Sequence, residues 1–412
     1  MNEKISDIIF MRENLLEIIS DKLKNREFSK KRSFNFCFFK ELKCGRKFGK
    51  LPKNNFSKFP LIICFIIFCF NINFELYSKG KMDIEIPSEN VEYALKGVEE
   101  IEEKIKEPLY NLRSVEGNPI YVKESWGYVM AGREGEYNSS FPLTDVCYFA
   151  AEVNSYGELT SIPNRSKLKT GNTRCHLVIA CDSKTLTHFV LNGDYNLRQQ
   201  LIKDIVKASQ NYDGVQIDFE LVPARDRKNF ITFLADLRYL LGQKKWFSVC
   251  VPARFKLLTD DIYPYAEIAK YCDRVFVMAY DEHWSGSKSG AIASLDFCKK
   301  VAEYAKKAIP ERKLVMGLPF YGRTWASETT AGAWYFSGAN RIMTEHSVED
   351  VFYEEEIPTF KYTAQVEVTG YFNDAYSCVQ IARLYENLGI QKIGYWRIGQ
   401  EDPEFWNWII CK

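Results

Sequence analysis

From Val122 onward the chain alternates eight times between a short apolar run and a stretch with helical spacing, and few folds accept that rhythm. The runs are Trp126–Met130, Asp145–Ala151, Cys175–Cys181, Gly214–Glu220, Phe247–Pro252, Arg274–Tyr280, Lys313–Pro319 and Lys392–Ile398. Most are too apolar to alternate, as expected of parallel strands covered on both faces. Leu197–Gln210, Asp226–Leu241, Asp261–Tyr271 and Leu295–Ala308 read as helices between them. Alternating strand and helix predicts a parallel α/β fold. Eight repeats over ~280 residues match a (β/α)8 TIM barrel, whose usual length is about 250 residues. A doubly wound open sheet is the rival. It would want a Gly-rich phosphate turn after its first strand, and Gly132-Arg133-Glu134-Gly135 is not one.

One interval is too long for a single helix. Between the seventh and eighth runs lies Tyr321–Gln391, in which only Ser377–Asn387 reads as the expected helix, with Asp374 as its cap and Gly389 as its stop. The rest contains Trp334-Tyr335-Phe336 and the alternating stretch Lys361–Tyr371. These predict a small β-rich insertion between strands 7 and 8, on the face where barrels of this kind keep their sites.

The chemistry concentrates in the fourth run, Asp213-Gly214-Val215-Gln216-Ile217-Asp218-Phe219-Glu220. On a strand, Gln216, Asp218 and Glu220 share one face, and Val215, Ile217 and Phe219 share the other. If the apolar face packs under the helices, the polar three project into the barrel and end at its C-terminal mouth. Such a row is costly unless its members bond one another. Two close acids in a barrel push one pKa upward and keep a proton available near neutral pH, which is what a general acid requires. The competing reading is a surface strand edge with solvated acids, which the apolar neighbours oppose. No Gly-x-Ser-x-Gly elbow occurs. His176, His188, His283 and His346 are scattered, so neither serine nor metal hydrolysis finds support.

The fourth run resembles the Asp-x-x-Asp-x-Asp-x-Glu motif of glycoside hydrolase family 18, the chitinase-like barrels, and stands here as Asp213, Gln216, Asp218 and Glu220. The resemblance covers roughly Val122 to Trp408. Met278-Ala279-Tyr280-Asp281 is similar to the family's sixth-strand motif, Gly317-Leu318-Pro319-Phe320-Tyr321-Gly322-Arg323 to its seventh, and Gly394-Tyr395-Trp396-Arg397 to its eighth. The extended Tyr280-Asp281-Glu282-His283-Trp284 resembles the branch of spore-cortex peptidoglycan glucosaminidases and chitobiase-like enzymes. There are two departures. Gln216 replaces an acid found in many chitinases, leaving one fewer charge to tune Asp218. Cys175–Cys181 stands where the family has Ser-x-Gly-Gly.

The resemblance implies substrate-assisted, retaining hydrolysis of β-1,4 N-acetylglucosaminide bonds, an exception to the two-carboxylate scheme. Glu220 would be the general acid and later the base. Asp218 would hold the acetamide N–H, Tyr280 would donate to the acetamide oxygen, and no cofactor or metal is implied. Asp213 would serve the start of the strand or the carboxylate network. Trp396 is expected beneath the reacting sugar, or else as an ordinary core tryptophan. Tyr128, Trp284, Tyr321 and Arg323 line the cleft or pack structurally. Asp281 supports Tyr280, meets a sugar hydroxyl or caps its loop. The substrate is a peptidoglycan, chitin-type or N-linked glycan containing N-acetylglucosamine, attacked by a monomer. A sugar-binding barrel without catalysis is the alternative from another class.

The segments ahead of the barrel divide as residues 1–58, 59–82 and 83–120, with the catalytic barrel over 121–412. The whole chain carries 55 Lys+Arg against 54 Asp+Glu, which excludes a nucleic-acid-coating protein. Yet Asp21–Lys58 alone holds thirteen Lys/Arg and three Asp/Glu. Behind this basic leader, Phe59–Phe70 is apolar but shorter than the ~20 residues of a membrane span, and it suits the core of an export signal. A buried element, or a translation start placed too far upstream, would account for it otherwise. Export to the periplasm, cell surface or medium is expected, either free or anchored to the membrane through 59–70. Ser88–Lys106 reads as an acidic amphipathic helix. Twelve cysteines without a CxxC read as buried free thiols rather than a disulfide set.

Overall fold

A computed structural model describes residues 112–326, 332–363 and 367–412. The leader, the apolar segment and the expected helix Ser88–Lys106 lie outside the described residues. Strand β1 (Ile120–Val122) precedes β2 (Glu124–Met130), β3 (Asp145–Val153), the short β4 (Leu159–Thr160), β5 (Arg174–Cys181), β6 (Gly214–Phe219), β7 (Trp246–Pro252), β8 (Arg274–Met278) and β9 (Leu314–Pro319). After an insertion come β15 (Lys392–Trp396) and β16 (Ile409–Cys411). Eight of these pair in parallel in the order β2-β3-β5-β6-β7-β8-β9-β15, and β15 pairs back onto β2. The sheet is therefore closed, and the expected (β/α)8 barrel is the fold. β1 pairs in parallel with β16, joining the two ends of the domain.

The two faces of each barrel strand enter different cores. Val215, Ile217 and Phe219 belong to the large core between strands and helices. There Phe219 stacks on Phe230 and Phe233 of the helix Arg227–Leu241, with ring centroids 6.4 and 5.2 Å away. Burying a phenylalanine so completely contributes about 2 kcal/mol. A second core fills the barrel itself with Trp126, Tyr128, Cys147, Val178, Cys250, Phe276 and Val315. Phe276 occupies the centre because two neighbouring strands present glycine to it. A Cβ on Gly394 would lie 2.2 Å from its ring, and one on Gly317 would meet both Phe276 and Tyr280 within about 3 Å. At the N-terminal end, Asp145 receives Arg174 and His176 at 2.7 Å, while Arg174 and Arg274 flank the Trp246 ring.

The insertion is a five-stranded antiparallel sheet built from β10 (Tyr321–Ala326), β11 (Gly332–Tyr335), β12 (Val351–Glu354), β13 (Ile357–Thr363) and β14 (Glu367–Tyr371), in the order β11-β10-β14-β13-β12. It also contains a helix, Phe336–Glu345, whose Ala339, Ile342 and Met343 share a core with Phe360 and Phe372. The alternation over Lys361–Tyr371 divides into parts of two paired strands, β13 and β14. The helix after it, Ala375–Asn387, starts with the expected Asp374 in a reciprocal capping box with Ser377.

Two helices differ from expectation. Asp261–Tyr271 forms only the turn Tyr265–Ile268. Pro264 sets its start, and Asp261 binds Arg254 and the Tyr263 N–H instead of capping a helix. Lys184–Leu191, capped by Ser183, was not expected, because its threonines and short length blur the helical period. Among the described residues no helix is long and apolar enough to cross a membrane. All eight described cysteines are free thiols, and all but Cys411 are buried.

Candidate active site

Strand β6 delivers the carboxylates as its alternation requires. Gln216 and Asp218 point into the barrel, both buried, and Glu220 follows the last strand residue at the C-terminal rim. Beneath them the interior polar groups satisfy one another. The Tyr128 hydroxyl donates to Gln216 Oε1 at 2.6 Å, Gln216 Nε2 donates to Ser248 Oγ at 3.1 Å, and Cys250 Sγ lies 3.3 Å from the Tyr128 oxygen. A glutamine here does what a carboxylate cannot, because it accepts on one side and donates on the other.

Asp218 is different. Its Oδ1 is buried and has no hydrogen-bond partner among the described residues. Desolvation raises its pKa, the nearby Glu220 adds to the rise, the Cys250 thiol lowers it in part, and the result is about 7. Glu220 stands open at the rim by surface area, yet the walls of the mouth withhold enough water that desolvation still raises its pKa. Asp182 and Asp281 raise it further. Both carboxyls thus favour the protonated form more than a free acid does, and Asp218 is the one raised to about 7.

The neighbouring strands close around this pair. Tyr280, two residues beyond β8, keeps its proton to high pH, mainly because it is desolvated. It meets the Tyr321 ring edge-on at 6.3 Å. Asp281, at a left-handed φ of 56°, takes the Arg323 guanidinium at 2.8 Å, and Arg323 lies 5.6 Å from the Tyr321 ring. Tyr321 and Arg323 sit on β10, so the insertion supplies one wall. Trp396 ends β15 with its ring against Tyr128 at 5.2 Å and Phe149 at 4.8 Å, partly open to the mouth. Tyr128 itself is buried and contributes through Gln216 and Trp396 rather than by exposed surface.

One residue stands apart, at the first of the two places expected for it, the start of the strand. Asp213 lies at the opposite end of β6, where it accepts the Cys175 backbone N–H at 2.8 Å. About seven residues of extended chain, roughly 20 Å, separate it from the rim. Trp284 is 54% exposed on the loop after β8, with its backbone N–H donating to Ser287 Oγ.

One carboxylate was not anticipated. Asp182 follows β5, whose Cys181 registers with Phe219, and the Glu220 N–H donates to the Cys181 carbonyl at 2.8 Å. Asp182 and Glu220 are thus neighbours across two strand ends, and the charge of Asp182 acts on both Asp218 and Glu220. The only hint in the sequence is that Asp182 is the first polar residue after its apolar run. Among the described residues no cluster of three or more His, Cys, Asp or Glu could hold a metal ion.

The model of glycosyl hydrolases family 18 matches residues 125–400. A cortical fragment-lytic enzyme of Bacillus anthracis is 26% identical over 291 residues, covering 65% of this chain and 67% of that protein. The crystal structure of the spore cortex-lytic enzyme SleL from Bacillus cereus superposes with a TM-score of 0.63 at 25% identity, covering 72% of this chain and 75% of that one. A chitinase structure from Chromobacterium violaceum gives a TM-score of 0.61 at 22% identity, covering 69% and 97%, and shows the shared fold. The chain spans roughly half to two thirds of the length of the first curated relatives it matches.

Proposed function

We propose, because the chain belongs to glycosyl hydrolases family 18, that it hydrolyses β-1,4 N-acetylglucosaminide bonds with Glu220 as general acid and base. The observation that carries this reading is the pairing of Glu220 at the rim with a buried Asp218 whose Oδ1 lacks a partner among the described residues. A buried acceptor left open in this way suits a donor brought by the substrate. In the reaction, Glu220 protonates the glycosidic oxygen and the sugar's own acetamide carbonyl attacks the anomeric carbon, giving an oxazolinium ion. Asp218 holds the acetamide N–H and stabilises the positive charge that develops there. Tyr280, kept protonated, donates to the acetamide oxygen. Glu220 then takes a proton from the water that opens the ring, and the anomeric configuration is retained. Trp396 forms the floor under the reacting sugar.

Peptidoglycan is the favoured polymer, on the likeness of Tyr280–Trp284 to the cortex-enzyme branch and on cortex-lytic proteins among the relatives. A substrate in the wall requires the barrel to leave the cytoplasm, a role assigned here to Phe59–Phe70. Incubation with peptidoglycan and, separately, with chitin oligosaccharides, followed by mass spectrometry, decides the polymer. N-acetylglucosamine reducing ends released from peptidoglycan are the expected result. Cleavage of the chitin oligosaccharides alone moves the substrate to chitin.

The charge of Asp182 gives a second expectation. The acid must be protonated to act, so the alkaline limb of the rate profile follows Glu220. Asp182 raises the pKa of Glu220, so Asp182→Asn lowers it and moves that limb to lower pH. Profiles of kcat/KM on N-acetylchitotetraose or solubilised peptidoglycan measure this. A limb that stays in place shows that Asp182 does not tune the acid.

A further inference from the structure

The turn that carries Glu220 is held by a residue from the neighbouring loop. Immediately after Glu220 the chain enters the left-handed region at Leu221, with φ 53°. That is an unfavourable conformation for a residue with a Cβ, and Leu221 is 52% exposed, so no burial rewards it. The groups on either side show what maintains it. The Tyr263 hydroxyl donates to the Phe219 carbonyl at 2.8 Å and accepts the Val222 N–H at 3.1 Å. One oxygen thus joins the backbone before Glu220 to the backbone after Leu221.

Tyr263 is itself fixed from behind. It is buried, its ring meets Phe230 edge-on at 5.7 Å, and its own N–H donates to Asp261 Oδ1 at 3.1 Å. Asp261 is buried and takes the Arg254 guanidinium at 3.2 Å. The chain of contacts Arg254–Asp261–Tyr263 lies entirely in the loop after β7 and ends on the turn after β6. A core-filling aromatic would need no hydroxyl at this place; a phenylalanine would fill the same volume.

Resting on the reading of Glu220 as the acid, we infer that Tyr263 is a positioning residue for catalysis, its hydroxyl fixing the Phe219–Val222 turn so that the Glu220 carboxyl faces the scissile bond. Displacement of a reacting group by about 1 Å is enough to slow turnover as much as a hundredfold. Loss of the two bonds therefore acts on kcat rather than on substrate affinity.

Tyr263→Phe in the full chain is compared with Tyr265→Phe. Tyr265 lies in the same region, is also buried, and donates its hydroxyl to the Pro252 carbonyl at 2.6 Å, away from the Glu220 turn. Both variants lose one buried hydroxyl and a similar amount of thermal stability. With N-acetylchitotetraose and solubilised peptidoglycan as probes, Tyr263→Phe is expected to lower kcat about tenfold or more, with KM within about twofold, and to displace the alkaline limb of the rate profile. Tyr265→Phe is expected to leave kcat and the limb in place. Equal kinetics for the two variants would overturn the inference.

Glu220→Gln runs alongside. If it retains turnover, the reading of the acid fails and the inference falls with it. If it is inactive while Tyr263→Phe behaves like Tyr265→Phe, only the inference fails. Should Tyr263→Phe not fold, amide exchange in the wild-type protein still decides. The Val222 N–H must exchange as slowly as neighbouring strand amides, and exchange at the rate of an open loop refutes the clamp.

Discussion

Glu220→Gln is expected to yield a folded protein that still binds N-acetylglucosamine oligosaccharides but turns them over at least ~10³-fold more slowly, towards the upper end for loss of a general acid. Two features place the effect so high. The same carboxyl protonates the leaving oxygen and later accepts a proton from water, so both half-reactions lose their proton carrier. Two of the neighbouring carboxylates cannot substitute without moving. Asp218 sits deeper in the barrel, and Asp281 is already paired with Arg323 at 2.8 Å. Glutamine keeps the shape of the side chain, so binding measured by calorimetry with N-acetylchitotetraose should change little. The substrate must have an ordinary sugar leaving group, because an aryl group departs with little protonation and would hide much of the loss. A rate within about tenfold of wild type would remove Glu220 from the role of acid. Tight binding without turnover in the wild-type protein would favour a sugar-binding barrel instead.

The barrel was legible because its signal is local and repeated. Each of the eight apolar runs lies within about two residues of a strand, since a strand buried on both faces needs little beyond its own apolar residues to declare itself. The division of Gln216 and Asp218 from Val215, Ile217 and Phe219 follows from a period of two and holds in the structure. What stayed hidden depends on register between strands. Asp182 lies beside Glu220 only because Cys181 pairs with Phe219, and Tyr263 reaches the same turn from 43 residues further along the chain than Glu220. No spacing in the sequence encodes either relation. For Asp213 the structure decides between the two places that the sequence left open, the start of the strand and the carboxylate network. Asp213 belongs to the same eight-residue motif as Glu220, yet strand geometry carries it to the far end of the barrel, where it binds the Cys175 N–H. The stretch Asp261–Tyr271 had the composition of a helix, but its polar residues serve the loop that supports Glu220.

Asp218→Asn is expected to abolish most turnover and, at the same time, to raise the melting temperature at pH 8. The loss of activity follows from removing the charge that faces the developing cation, for which about 10²-fold or more is typical. The gain in stability follows from the sign of the linkage. Asp218 has a folded-state pKa of about 7 against 3.8 for an ordinary aspartate, so the folded protein holds its proton more tightly than the unfolded chain. Stability from this group is fully present below 3.8, declines as pH rises from there, and is gone above about 7. At pH 8 the wild-type protein therefore bears a buried charge with one oxygen that no described residue binds, and an uncharged amide relieves it. At roughly 1.4 kcal/mol per pKa unit the ceiling is about 4 kcal/mol, and imperfect hydrogen bonding of the new amide brings the expectation nearer 2 kcal/mol. For a domain of this size that is about 5 °C. The difference should shrink by more than half at pH 5, where the wild-type carboxyl has taken up its proton in the folded state. Thermal melts of both proteins at the two pH values test this, and equal melting temperatures at pH 8 would show that Asp218 is not held at a cost to the fold. A gain in stability coupled to a loss of turnover is what a site maintained for chemistry, rather than for packing, requires; an ordinary buried aspartate that had found its partners would lose on both counts.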